Sequence, residues 1–271
     1  MHLGVIGFGN IGQELLCLLG DLAIDRISVL ARPGRAAESE KALAEIAPGQ
    51  AGKTQFLEDF STFLEGTPEF VVEAAGHGAV KTYAAEVLRS GTDLVVVSIG
   101  ALADEALHET LLTAAQTGGA RMILPSGAVG GLDILSAVSA AGSMHLRYFG
   151  TKPPHAWAGT PVAEQVDLGS LDHVLEFFHG TAREAAAAYP KNANVAAALA
   201  LAGGGFETTH VTLIADPKAS GNSHRYELNS PLATVSVEIA NKASGGNAKT
   251  SLATVYSVRR EIRNRLGPVA I

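Results

Sequence analysis

Gly7-Phe8-Gly9-Asn10-Ile11-Gly12 places three glycines at the spacing with which a backbone wraps a pyrophosphate. In that pattern the first glycine makes the tight turn, the second lets phosphate approach bare backbone, and the third lets a helix pack closely on a strand. Because the chain holds 30 glycines, the pattern is weak by itself. Its setting strengthens it. The motif follows the apolar run Leu3–Ile6 and opens an amphipathic stretch, Ile11–Leu19, as a dinucleotide fingerprint requires. The pyrophosphate is then expected at the positive end of that helix, against the free amides of Asn10 and Ile11.

About twenty residues beyond the fingerprint, such a site carries the side chain that reads the adenosine ribose. An acid there accepts from a 2′-hydroxyl and repels a 2′-phosphate. Here the next strand ends Val29-Leu30-Ala31-Arg32-Pro33-Gly34-Arg35, so Arg32 stands where the acid is expected. A guanidinium suits a 2′-phosphate and can stack on adenine, which predicts that NADP is accepted at least as well as NAD. A solvated basic loop is the alternative. Past Val72 the chain reads Glu73-Ala74-Ala75-Gly76-His77-Gly78, where small residues let the nicotinamide half lie across the sheet edge. Ala75 and Gly76 are expected at the cofactor, and His77 either touches it or caps the next helix.

Other chemistries find no support. One cysteine, Cys17, excludes an intramolecular disulfide and a thiolate metal site, and no H-E-x-x-H or Cys/His cluster is present, so no metal is expected. Ser98 and Ser126 lack the G-x-S-x-G elbow of a serine nucleophile. Nine histidines are available for acid–base work, and His224, after Gly221-Asn222 at the start of a strand, is placed to face a cleft.

These residues need elements to hold them. In the first 125 residues largely apolar runs (Leu3–Ile6, Arg26–Leu30, Phe70–Val72, Leu94–Ile99, Met122–Leu124) alternate with helical patterns at Ala36–Ile46, Val80–Leu88 and Glu105–Ala115. That alternation predicts an α/β fold, a Rossmann-type doubly wound parallel sheet. From Ser126 the texture changes. A helix over Gly131–Ala141, a strand over Met144–Phe149 and a Pro/Gly-rich loop come first. A strand over Val174–Phe178 precedes a helical pair broken at Tyr189-Pro190, with Asn192 or Asn194 available as N-cap. Strand-like runs at His210–Ala215, His224–Leu228 and Ala233–Ile239 then predict a second α+β domain with an antiparallel or mixed sheet. Helical periodicity returns over Lys249–Arg265. The expected domains are 1–125, 126–245, and a C-terminal helix in 246–271.

With 271 residues, 47% of them apolar, the chain can bury a sizeable core, and its formal charge of −7 argues against a nucleic-acid partner. The longest apolar run, Val195–Ala202, ends at three glycines and is far short of the roughly 18 residues of a membrane span. The N-terminus lacks a signal-peptide pattern, so a cytoplasmic protein is expected.

Taken in order, G7-F-G-N-I-G12, S126-G-A-V-G-G-L-D133, K152-P-P-H-A-W157, P190-K-N-A-N-V195, A215-D-P217, N222-S-H224 and K249-T-S251 resemble the L-aspartate dehydrogenase family over essentially the whole chain. The resemblance implies oxidation of L-aspartate to oxaloacetate and ammonia through iminosuccinate, with NAD or NADP. It also implies a mixed-sheet second domain, a C-terminal helix returning to the first domain, a homodimer, and an imine that can feed NAD biosynthesis. By position it makes Ala128 and Asn194 cofactor-binding residues and His224 the catalytic histidine, with Arg32 at a variable position that sets cofactor preference. A dicarboxylate substrate needs cations. Lys152, Lys191 and Arg183 lie in the second-domain motifs as candidates, Arg183 equally readable as a solvated charge. The alternatives are a homoserine dehydrogenase-like or dihydrodipicolinate reductase-like enzyme and, from another class, a non-catalytic NAD(P)-binding sensor, since a dinucleotide fold alone proves only binding.

Overall fold

In the computed structural model, residues 1–242 and 252–271 are described. They form two compact units, Met1–Pro125 with Thr254–Ile271, and Ser126–Ala253. The expected boundary at 245/246 and the Lys249-Thr250-Ser251 motif lie outside the described residues.

The first unit is built on six parallel strands: β1 (His2–Ile6), β2 (Arg26–Leu30), β3 (Thr54–Leu57), β4 (Phe70–Glu73), β5 (Asp93–Val96) and β6 (Met122–Ile123). Their spatial order is 3-2-1-4-5-6, and every pairing is parallel. The apolar runs explain this: β1, β2, β4 and β5 are buried nearly end to end, as strands covered on both faces must be. The order reverses beside β1, where β2 leaves on one side and β4 on the other. In an open parallel sheet that switch point is where ligands bind, beyond the carboxyl ends of the strands.

The C-terminal helix Leu252–Leu266 belongs to this unit. Val255, Val258 and Ile262 recur at helical spacing and are fully buried in its core. Arg259 reinforces the packing, its Nε donating to the Leu18 carbonyl at 2.9 Å and its Nη2 to Asp21 at 2.5–2.7 Å.

The second unit carries a five-stranded sheet of β7 (His145–Lys152), β8 (Leu175–Thr181), β9 (Thr209–Ala215), β10 (Ser223–Asn229) and β11 (Thr234–Ala240), in the order 11-10-7-9-8. Only β7 and β9 run parallel, so the sheet is mixed. Alternation sets the inner face: Leu146, Tyr148 and Gly150 on β7 and His224, Tyr226 and Leu228 on β10 are buried while their neighbours are exposed or half-buried.

Between Ile46 and Phe70 the first unit holds three elements not expected from sequence, the short helix Pro48–Ala51, β3 and a second short helix. β3 has one buried residue, Phe56, within Thr-Gln-Phe-Leu, and the helix Phe60–Glu65 is six residues long with Asp59 capping it through the Thr62 amide. The expected strand Leu94–Ile99 stops at Val96, because Ile99–Ala103 winds into a 3₁₀ turn.

Candidate active site

The fingerprint forms the turn that its glycines require. Gly7 has φ +101°, and a Cβ there would lie 2.7 Å from the Ala75 Cβ. At Gly12 a Cβ would come 2.4 Å from the Gly7 carbonyl oxygen, so the helix Asn10–Cys17 sits against the turn with no room for a side chain. Gly9 differs: among the described residues other than its chain neighbours, no heavy atom lies within 4 Å of its missing Cβ. No internal packing demands a glycine there, which leaves open space over bare backbone at the helix N-terminus, as a pyrophosphate needs.

This turn opens into a cavity of about 590 Å³. Gly7 and Gly9 line it together with Arg32, Ala75, Gln13 and Tyr83. Of the expected cofactor residues in this unit, Asn10, Ile11, Gly12, Gly76 and His77 are outside the cavity lining. His77 is the first residue of the helix His77–Arg89, with Gly76 at the cap position. The volume falls within the few hundred to about 1,000 Å³ of small-molecule sites. Arg32 is exposed at the rim, and neighbouring Arg35 is held by Glu38 at 2.7 Å. The glycine cradle and the cation together fit an adenine dinucleotide.

Two carboxylates missed by sequence reasoning hold this site. Glu73, buried at the end of β4, accepts from the Ala75 and Gly76 amides at 2.8 Å and from the Ser98 amide and hydroxyl at 3.0 Å. Burial pushes its carboxyl up, against the pull of those donors. Glu58, just after β3, accepts from the Ala36 amide at 2.7 Å; backbone N–H groups of Gly34 and Ala36 hold its carboxyl low. It fixes the turn that carries Arg32 and Arg35. Any signal lay in position alone, an acid at the last residue of β4 and another directly after β3.

In the second unit, strand pairing builds another cluster. His224 on β10 pairs with Gly150 on β7, so His224 shares a sheet face with Tyr148, Gly150 and Lys152. The Tyr148 hydroxyl stands 2.8 Å from His224 Nδ1, and the two rings are nearly parallel at 17°. The Lys152 ammonium donates to the side-chain amide oxygen Oδ1 of Asn192, in the short Pro190–Asn192 turn, and lies 5.1 Å from the Trp157 ring centre. Burial lowers Lys152 to about 8. Burial, then the Lys152 charge, lowers His224 to about 4. His224 is therefore neutral near pH 7.

The helix Asn194–Leu199 begins at Asn194 itself, with Ala193 at the cap position, so neither asparagine is its N-cap. Asn192 serves Lys152 instead. Ala128 is buried, and its carbonyl accepts from Asn241 Nδ2 at 3.4 Å. Lys191 lies in the Pro190–Asn192 turn. Arg183 pairs with Glu207 and covers the Phe206 ring, which accounts for its charge without a substrate. Among the described residues no group of acids, histidines and cysteine could hold a metal ion.

Residues 133–265 match the family model for the aspartate dehydrogenase C-terminal domain, and residues 7–125 match that for the homoserine dehydrogenase NAD-binding domain. L-aspartate dehydrogenase from Ralstonia nicotianae is 41% identical, with 100% of both chains covered. L-aspartate dehydrogenase 2 from Bordetella bronchiseptica is 39% identical over 100% of this chain and 98% of its own. This chain belongs to the L-aspartate dehydrogenase family. The crystal structure of aspartate dehydrogenase from Thermotoga maritima superposes with a TM-score of 0.79 at 28% identity, covering 100% of this chain and 99% of that one. A hyperthermophilic archaeal homoserine dehydrogenase in complex with NADPH matches at 11% identity and TM-score 0.58 and shares the fold alone.

Proposed function

We propose that this chain is an NAD(P)-dependent L-aspartate dehydrogenase. It oxidises L-aspartate to iminosuccinate, which hydrolyses to oxaloacetate and ammonia, and it runs the reverse reductive amination. The observation that carries this reading is the 41% identity to an L-aspartate dehydrogenase over the full length of both chains. Gly7, Gly9 and the first amides of the Asn10–Cys17 helix hold the pyrophosphate, and Arg32 reads the adenosine ribose or its 2′-phosphate. Ala75 and Gly76 carry the backbone beneath the nicotinamide, and Ala128 and Asn194 complete the cofactor contacts. When bound, the dinucleotide supplies the hydride acceptor for C2.

The second-unit residues act on the substrate. Lys152, half-buried and low in affinity for its proton, offsets the cost of burying a dicarboxylate. Lys191 is the second candidate cation. His224 meets the group that changes at C2. The working unit is a cytoplasmic homodimer; the family resemblance supports the dimer, and a single exposed cysteine suits a reducing compartment.

Absorbance at the reduced nicotinamide band tests the reaction directly. Protein, NADPH and oxaloacetate are mixed with and without ammonium. Oxidation that needs ammonium supports the reading. Oxidation without ammonium marks a hydroxy-acid dehydrogenase, and binding without oxidation marks a sensor; either overturns it. Sedimentation of the purified chain tests the dimer, which a monomer mass contradicts.

A further inference from the structure

Tyr148 is buried, and among the described residues its hydroxyl has one hydrogen-bond partner, His224 Nδ1 at 2.8 Å. Two proton arrangements fit that distance. In one, the phenol donates to Nδ1 and the imidazole carries its proton on Nε2. In the other, Nδ1–H donates to the phenol oxygen, and the phenol's own hydrogen is left buried without an acceptor among the described residues. An unmet buried donor costs roughly 1–3 kcal/mol, which selects the first arrangement. Ionised tyrosine is not an alternative, since burial raises the phenol further above its already high ordinary value.

The neighbouring residues are built for this bond. Gly150 is the residue opposite His224 across the β7–β10 pair, and a Cβ there would lie 2.8 Å from the Tyr148 hydroxyl oxygen. A glycine at 150 is what lets the phenol run along the strand to the imidazole. The charge that acts on His224 is the Lys152 ammonium, a cation that favours the neutral ring.

From this geometry we infer that Tyr148 is a positioning residue that locks neutral His224 as the Nε2–H tautomer, so that His224 meets its substrate as a hydrogen-bond donor rather than as a proton acceptor. The inference deepens the dehydrogenase reading and rests on it for the identity of the substrate. A neutral imidazole donor polarises a carbonyl or imine and keeps its own proton, the role that triosephosphate isomerase gives a histidine whose basicity is likewise suppressed. Here the acceptors on offer are the C2 oxygen of oxaloacetate and the hydroxyl of the carbinolamine that links it to the imine.

The tautomer can be read in the full-length protein without substrate. Long-range proton–nitrogen NMR correlations on ¹⁵N-histidine-labelled protein distinguish Nδ1–H from Nε2–H, and the signal lost in His224→Gln identifies the ring. An Nε2–H spectrum is expected in the wild type and a mixed population in Tyr148→Phe. An Nδ1–H wild-type spectrum overturns the inference, and so does a Tyr148→Phe spectrum unchanged from wild type; the wild-type result stands even where Tyr148→Phe fails to fold. Kinetics supply the second arm. Glutamine places an N–H donor near the Nε2 position but cannot act as a base. His224→Gln is expected to keep kcat within about 10-fold of wild type, whereas His224→Ala loses roughly 100- to 1,000-fold, the effect of removing one preorganised donor. Equal losses in both variants overturn the donor role. A wild type that does not turn over aspartate overturns the functional reading instead, leaving the spectra to decide the tautomer.

Discussion

Lys152 gives the sharpest quantitative expectation, because its burial ties stability and function to one side chain. Burial lowers it from an ordinary 10.5 to about 8. At roughly 1.4 kcal/mol per unit of pKa, that gap is a folding penalty of about 3 kcal/mol when the ammonium stays charged. Replacing Lys152 with Met removes the penalty. It also removes the bond to Asn192 and the contact with the Trp157 ring, together about 1–2 kcal/mol. Lys152→Met should therefore be more stable than wild type by about 2 kcal/mol at pH 7, read from urea unfolding. The pH dependence follows from the direction of the shift. Between pH 8 and 10.5 the folded lysine has released its proton while the unfolded one still holds it, so wild-type stability rises with pH across that window. By pH 9.5 the variant's advantage should shrink by about 2 kcal/mol. Its KM for oxaloacetate should rise at least 10-fold at either pH. A variant less stable than wild type by more than 1 kcal/mol at pH 7, or an advantage that does not change with pH, would refute the view of Lys152 as a buried cation kept for its ligand.

Three further expectations concern the nucleotide-binding unit. Arg32→Asp should lower the NADPH-to-NADH ratio of kcat/KM by roughly 10- to 100-fold, the worth of a charge-assisted bond, and an unchanged ratio removes Arg32 from cofactor recognition. Gly12→Ala forces a Cβ to within 2.4 Å of the Gly7 carbonyl oxygen and should cost about 1–3 kcal/mol in denaturant unfolding, so an unshifted midpoint contradicts the close packing of helix on turn. Glu73→Ala strands the amides of Ala75, Gly76 and Ser98 and should lower stability by about 2–4 kcal/mol while weakening NADPH binding measured by fluorescence; full retention of both shows that the carboxylate does not hold that turn.

The first unit was legible where local pattern and tertiary demand agree. β2 occupies Arg26–Leu30, the range its apolar run predicts, and the helix Ala36–Ile46 likewise falls on its periodic residues. β3 was illegible because it buries only Phe56, and its strand character comes from pairing with β2. The Gly7–Gly12 fingerprint was readable because three glycines at fixed spacing have separate steric reasons to be glycine. The second cluster was readable only in part. Lys152 and His224 stood out by type and motif. Tyr148 did not, because it lies 76 residues from His224 in sequence and meets it only through the register of two strands. Nothing local shows that Gly150 opens the way between them, nor that burial shifts both ionisable groups far from their usual ranges. The same applies to Asn192, which looked like a helix cap and instead binds Lys152.

Isotope transfer is the most direct check on the whole account. NADPH carrying deuterium at both C4 positions is incubated with the protein, oxaloacetate and ammonium, and the product is read by proton NMR. Aspartate with deuterium at C2 and no deuterated malate is the expected result. Malate as the labelled product, or aspartate whose C2 carries only solvent hydrogen, would contradict it.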